Sequence, residues 1–452
     1  MSEVMAAIWA GLGGAAGEPT RVRFEGTGEA PSVFAVSDLL AASVGAACLA
    51  AAELIGSRHG EAPCVTVDRR LSLFWCGNPV EPQGWALPPS WDAVAGDYRA
   101  ADGWIKLHTN APHHRAAALE VLGAPADRGE VAQAVLRWPA EQLQDEIVVQ
   151  GGCAAAMRNQ VEWAAHPQGG AVAAEPLMHY GSFKAPAPRW TVPHDRPLAG
   201  VRVLDLTRVL AGPVATRFLA GFGADVLRID PPDWDEPALL PGVTLGKRYA
   251  RLDLRKAADL DTLRNLLRGA DVVVHGYRPG ALERLGFGAA ARQALRPGLV
   301  DVSLDAYGWS GPWQGRRGFD SLVQMSSGIA EAGMRLMERD EPAPLPVQAL
   351  DHATGYLLAA AAVRGLTGVL QGGEGSAART SLARVAALLT SLPTPPRLPF
   401  TPKGEGDFAP AIEETSWGPL RRLRPPAVVD GAPMRWDLPA MALGTSAAEW
   451  RT

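Results

Sequence analysis

Between Val201 and Leu304 short apolar runs alternate with helical stretches, and no other feature constrains the fold as tightly. VRVLDL (201–206), DVLRID (225–230), YARLDL (249–254), DVVVHG (271–276) and LVDVSL (299–304) read as buried strands. Helices are predicted over 214–222 and 257–268, again around 320–330, and most strongly over 351–370. Strands alternating with helices imply an α/β fold built on a parallel, doubly wound sheet.

At 452 residues the chain exceeds one compact core, so two or more domains are expected. A formal charge of -5 argues against a broad nucleic-acid or membrane-surface footprint, so an anion site must be a local Arg and Lys cluster. Cys48, Cys64, Cys76 and Cys153 show no metal-ligand spacing and fit a reduced, cytoplasmic protein. The N-terminus lacks the basic region of a signal peptide. The Ala-rich run Leu39 to Ile55 is short for a membrane span, contains Glu53, and reads as a buried helix.

Lys184 to Pro197 has the Pro content of a linker, which divides the chain into residues 1–190, 191–392 and a Pro- and Arg-rich tail over 393–452. The last residues of that tail, TSAAEWRT, read as helical. A weak internal repeat is also present. Asp38 and Asp351 each open an Ala-rich helix, followed by the similar segments VTVDRRLSLFW (65–75) and RTSLARVAALL (379–389). Asp38 to Arg70 spans 32 positions and Asp351 to Arg384 spans 33, which hints at duplication.

The glycines of GFGAD (221–225) follow a helix and precede a strand, the reverse of a dinucleotide-cradling loop, so a nicotinamide cofactor is not expected. The turn after the first strand, TRVLAGP (207–213), has small residues that let a ligand approach the backbone at a strand's carboxyl end. Lys247, Arg248, Arg278 and Arg284 recur near other strand ends, where several together could hold phosphates. His108, His113 and His114 lack a partner at metal-ligand spacing, so no metal is expected there. Asp351 reads either as a helix N-cap or as a nucleophile, with Gly355 one turn on leaving open backbone beside its carboxylate.

Taken in order, LAGVRVLDLTRVLAGPVATRFLAGFGADVLRID, GKRYARLDL, ADVVVHGYRPGALERLGFG, YGWSGPWQGRRGFD and ALDHATG resemble the class III CoA-transferase family. That family includes formyl-CoA and carnitine CoA-transferases and α-methylacyl-CoA racemase. The resemblance runs from Leu198 to about Leu389. It implies a Rossmann-like CoA-binding domain over 191–392 carrying the catalytic helix, with 393–452 packing on it as a tail. It further implies a smaller α+β domain, here N-terminal within 1–190, and a homodimer. Coenzyme A, as acyl-CoA, would be the cofactor-like substrate, and a carboxylic acid the acceptor. Asp351 matches the family's catalytic aspartate. Arg208, Leu210 and Ala211 would line the CoA site, and Lys247, Arg248, Tyr277, Arg278 and Arg284 would contact adenosine and phosphates.

The implied reaction is CoA transfer through an aspartyl-CoA thioester. An acyl-CoA racemase or isomerase is the second reading, disfavoured because Phe319 stands where that branch has a His. A CoA-binding homologue without turnover is the third. Asp320 could bond nearby backbone or cap a helix. Gly276 replaces an Asn of formyl-CoA transferase, which removes one CoA contact. The domain order also departs from the family, since VTVDRRLSLFW, GDYRAADGWIKLHTN and EWAAHPQGGAVAAEPLM look like its small domain but come first. A fusion of two copies, the first without its sheet and the second without its small domain, accounts for this order and makes Asp38 a structural twin of Asp351.

Overall fold

The structure, a computed structural model, describes residues 1–396 and 398–451. Its main sheet has seven strands, in the spatial order Arg248–Arg251, Asp225–Asp230, Arg202–Leu206, Val272–His275, Val300–Asp305, Glu374–Ser381 and His179–Lys184. The first six are parallel, and the chain reverses its winding beside the central strand Arg202–Leu206. This is the doubly wound order in which ligands sit at the carboxyl ends of the strands around the switch point. The seventh strand precedes this unit in the chain and pairs antiparallel with Glu374–Ser381. The helix over Ala211–Gly221 ends at GFG, where Gly223 has φ +108°, and the next strand starts at Asp225. Those glycines terminate a helix, as their order in the sequence implied.

The helix Ala349–Gly372 is buried along most of its length between the helices Val36–His59 and Ala211–Gly221. Both 24-residue helices are apolar enough to cross a membrane, yet each is packed inside the protein. Gly355 serves this packing and does not open backbone beside Asp351. A Cβ added there would lie 2.5 Å from the Ala211 carbonyl oxygen and 2.8 Å from Val214 Cβ. The two helices cross too closely at this point for any side chain.

The repeat is visible in three dimensions. Asp38 and Asp351 are each the third residue of a 24-residue helix. Thirty positions beyond each, Asp68 and Ser381 end a strand and N-cap the next helix, accepting from the N–H of Leu71 and Arg384 respectively. The register therefore pairs Leu71 with Arg384, one position away from the match made on arginines. The first copy retains a two-stranded parallel remnant, Val22–Glu25 with Val65–Asp68, beside which Ala427–Val429 adds antiparallel.

VTVDRRLSLFW belongs to this remnant and not to the small domain, because its strand pairs within the remnant sheet and its helix packs on Val36–His59. In chain order the small α+β unit falls between this remnant and the main sheet. Strands Gly96–Arg99, Trp104–Leu107 and Ala154–Ala156 form its sheet, and helices Pro112–Leu122, Arg128–Val135 and Ala140–Val149 close a separate core around Ile105, Val131, Leu143 and Ile147. The tail divides its contacts. Gly418–Leu423 pairs with Val80–Pro82, while Trp436 and Trp450 bond the carbonyls of Arg217 and Leu266 on the large unit. The expected helix in TSAAEWRT does not form over 445–451. That segment is irregular chain held by the Ser446 N–H to the Tyr249 carbonyl and by Trp450. So short a segment cannot nucleate a helix against such contacts.

Candidate active site

Strands Arg202–Leu206 and Val272–His275 are neighbours, and the turns that leave their carboxyl ends, 207–212 and 276–281, form two walls of a cavity of about 380 Å³. Arg208, Leu210, Ala211, Tyr277, Arg278 and Asp351 all line it. The Arg208 guanidinium lies over the rings of Trp234 (5.2 Å) and Tyr277 (5.6 Å), which fix its plane while leaving it charged. Val209, a β-branched residue, is held at φ 65°, and its N–H donates to Glu236 Oε2 at 2.8 Å. Strain of this kind persists only where the surroundings over-determine it, and it falls here on the cavity wall.

The structure does not bring the other three basic residues to the cavity. Lys247 is fully buried, 3.2 Å from Asp205 Oδ2 and 2.9 Å from the Pro213 carbonyl, with burial lowering its pKa to about 8. Asp205 also accepts from the Thr207 N–H at 2.9 Å, so the pair braces the 207–213 turn from beneath. Arg248 reaches back to Asp225 at the start of the neighbouring strand, at 2.8 and 3.0 Å, away from the carboxyl ends. Arg284 projects from an exposed helical turn beside Gly280.

Asp351 is 8% exposed, and among the described residues its carboxylate has neither a hydrogen bond nor a cation. Burial raises its pKa well above the usual carboxylate range, and the neighbouring Asp320 raises it further. Asp320 does not cap its own helix. It sits at the first position of Asp320–Ser326 and accepts the Asp351 backbone N–H at 3.0 Å, together with the N–H of Leu350. Gln324 donates to its other oxygen and accepts the Leu345 N–H at 2.7 Å. Asp320 thus caps the helix that carries Asp351. Asp38 has the opposite surroundings, since Arg69 donates to its carboxylate at 2.9 Å and the N-terminal ammonium lies 3.7 Å away.

Several further residues complete the site. His113 and His114 arrive from the small unit, and Arg316, Arg317 and Phe319 from the segment before Asp320. His114 is held neutral, its pKa lowered to about 3 by burial and then by His113 and Arg317, and its Nδ1 is buried without a partner. Phe319 stacks on His108 at 3.6 Å. Arg317 donates to the Gly151 carbonyl at 2.6 Å, while Arg278 has no acidic partner among the described residues. Nothing in the sequence tied the histidines to the site, because their spacing carries no chemistry of its own. The arginines were visible in the RRGFD run. The resulting chamber holds the unpaired Asp351 carboxylate, with Asp305 also on its wall, beneath a rim of arginines, suited to an anionic ligand with an electrophilic centre.

The sequence model of CoA-transferase family III matches residues 198–410, a span that contains both turns, Asp320 and Asp351. This part of the chain is similar to that family. An acetyl-coenzyme A transferase of Hypoxylon pulicicidum is 39% identical over 166 residues, which cover 35% of this chain and 28% of that one. A probable fatty acyl-CoA transferase of Mycobacterium tuberculosis is 34% identical over 185 residues, covering 38% of this chain and 46% of that one. A crystal structure of the mycobacterial protein aligns over 43% of this chain and 56% of its own at 32% identity, with a TM-score of 0.41. The chain therefore spans between 28% and 56% of the length of these relatives.

Proposed function

We propose that the chain is a CoA-transferase that moves CoA from an acyl-CoA donor to a carboxylic acid, with Asp351 as nucleophile. The observation that carries this reading is the uncompensated Asp351 carboxylate, buried in an arginine-lined cavity at the switch point of the sheet. Relatives named as succinyl-CoA:glutarate CoA-transferase and as acyl-CoA transferase, 31% and 30% identical to this chain over 193 and 253 residues, support CoA transfer. Arg208 and Arg278 would hold phosphates of CoA, with Leu210, Ala211 and Tyr277 along its path. Lys247 would act by bracing the turn. Scattered cysteines without metal-ligand spacing support a cytoplasmic enzyme, and the family resemblance supports a homodimer.

Asp351 attacks the donor thioester carbonyl and expels CoA thiolate, leaving a mixed anhydride. The thiolate attacks the aspartyl carbonyl, releasing the donor acid and forming the aspartyl-CoA thioester. The acceptor carboxylate displaces the thiolate to give a second anhydride, and attack by the thiolate on the acceptor carbonyl releases acyl-CoA and restores Asp351. Only ionised Asp351 can attack, so the burial that raises its pKa suppresses the nucleophile until the pH rises or a cation approaches. Burial also strips water from the carboxylate and so strengthens its reaction with a bound thioester.

One observation favours a second reading. His114, neutral and with a free buried Nδ1, lines the same cavity as Asp351 and stands 5.9 Å from the Phe319 ring, between ring centres. A neutral imidazole facing a carboxylate supplies two acid/base groups, as racemisation at an α-carbon requires. Incubation with acyl-CoA donors and a panel of acids, in heavy water, separates the two. New acyl-CoA products without α-deuterium support the transferase. Deuterium at the α-carbon without new thioesters would establish the isomerase instead.

A further inference from the structure

A second cavity of about 550 Å³ lies on the other side of the Tyr277–Pro279 turn; it shares Tyr277, Arg278 and Pro279 with the first, and its remaining lining has no part in the reaction proposed above. Its floor is a row fixed by strand register. His275 pairs with Ser303, Ser303 with Arg379, and Arg379 with His179, so these four residues lie side by side on one face of the sheet. The adjacent row, Val274, Val302 and Ala378, points to the opposite face and is buried in the main core. The helix side of the polar face is covered by Leu263, Leu266, Leu267 and Phe287, but that core draws no residue from Glu374–Ser381. A Cβ added at Gly181, in this uncovered part, meets nothing within 4 Å.

Three groups on this floor are not satisfied by the protein. His275 is 8% exposed, and its Nδ1 is buried without a partner, although its Nε2 lies 3.3 Å from Asp301 Oδ1. Arg292 donates to Asp301 at 2.7 Å and to the Phe287 carbonyl at 2.6 Å, so Asp301 is already neutralised from behind. Arg379 and Arg278 have no acidic partner among the described residues, and Arg379 is held over the Trp309 ring at 4.8 Å. Both arginines are exposed and cost little unpaired, so they stand free to meet a ligand, while the orphaned buried imidazole of His275 does cost free energy.

We propose that this cavity is a second binding site, for a small oxyanion carried as a phosphate or a carboxylate. Arg379 and Arg278 supply the charge, and Ser303 and His275 donate hydrogen bonds. The inference concerns binding alone and stands whether or not Asp351 transfers CoA. Its test is calorimetric titration of the full chain with inorganic phosphate and, separately, with malonate. Wild type, Arg379→Gln, Ser303→Ala and Arg208→Gln are compared, and thermal melting shows that each variant is folded. Arg379 is exposed, so its replacement does not threaten the fold. The expected result is binding of one or both probes, weakened about tenfold by Arg379→Gln, less by Ser303→Ala, and unaltered by Arg208→Gln. Tighter binding of phosphate than malonate, or the reverse, identifies the head group. No heat with either probe, equal binding by Arg379→Gln, or loss confined to Arg208→Gln would each overturn the proposal.

Discussion

Asp320 ties the stability of the fold to the chemistry of Asp351, and substituting it separates the two effects. Asp320→Ala removes the acceptor for the N–H groups of Asp351 and Leu350 and for Gln324, all buried. Each orphaned buried donor costs about 1–3 kcal/mol, so the variant should lose roughly 3 kcal/mol or more. Asp320→Asn keeps a carbonyl oxygen for the Asp351 N–H. Its amide then faces the Gln324 amide, which cannot turn without releasing the Leu345 N–H, so about one bond, ~1 kcal/mol, is lost. The same change removes the charge that raises the pKa of Asp351. Raised pKa values mean that the folded state binds protons more tightly than the unfolded chain, so their contribution is present at acid pH and is lost as pH rises. Asp320→Asn should therefore recover relative to wild type in alkaline urea melts and shift the acid limb of any Asp351-dependent reaction to lower pH. Urea unfolding at acid and alkaline pH, with adduct formation followed across the same range, measures both. If Asp320→Ala unfolds within about 0.5 kcal/mol of wild type, or Asp320→Asn leaves the pH profile in place, the capping argument is wrong.

Gly355→Ala should destabilise by about 1–3 kcal/mol and weaken CoA binding, since the added methyl drives the Asp351 helix off the turn at Ala211; urea unfolding and calorimetry measure the two losses. Asp305, whose pKa burial pushes up to about 7, gives wild type a stability that falls as pH rises from about 4 to about 7. Asp305→Asn should flatten that slope, by ~4 kcal/mol at most, in unfolding measured across pH. Val209→Gly should relieve roughly 1 kcal/mol of backbone strain at φ 65° while loosening the turn, so thermal stability holds or rises as CoA affinity drops.

Five strands of the main sheet were legible in the sequence because they are continuous apolar runs separated by helices of ordinary length; Glu374–Ser381 and His179–Lys184, which lack such runs, were not. Asp351 was legible through its D-x-x-x-G context and the match of ALDHATG to the family, and the contrast with Asp38 follows from Arg69, whose approach depends on a strand and helix thirty residues downstream. The directions of side chains at strand ends were not legible. Lys247, Arg248 and Arg278 look alike in sequence, yet one is entombed with Asp205, one turns back to Asp225, and one faces the cavity. His113 and His114 were set aside because only the packing of the small unit on the large one carries them to Asp351. The tail misled for a related reason, since helical propensity in eight residues yields to the seat of Trp450 on the large unit.

The central claim is that Asp351, and not its twin, is the covalent nucleophile. Intact-protein mass after mixing with short acyl-CoA donors tests it most directly, on wild type, Asp351→Asn and Asp38→Asn. The account predicts a hydroxylamine-sensitive adduct on wild type and Asp38→Asn, and none on Asp351→Asn. An adduct that survives Asp351→Asn, or that disappears with Asp38→Asn alone, would contradict it.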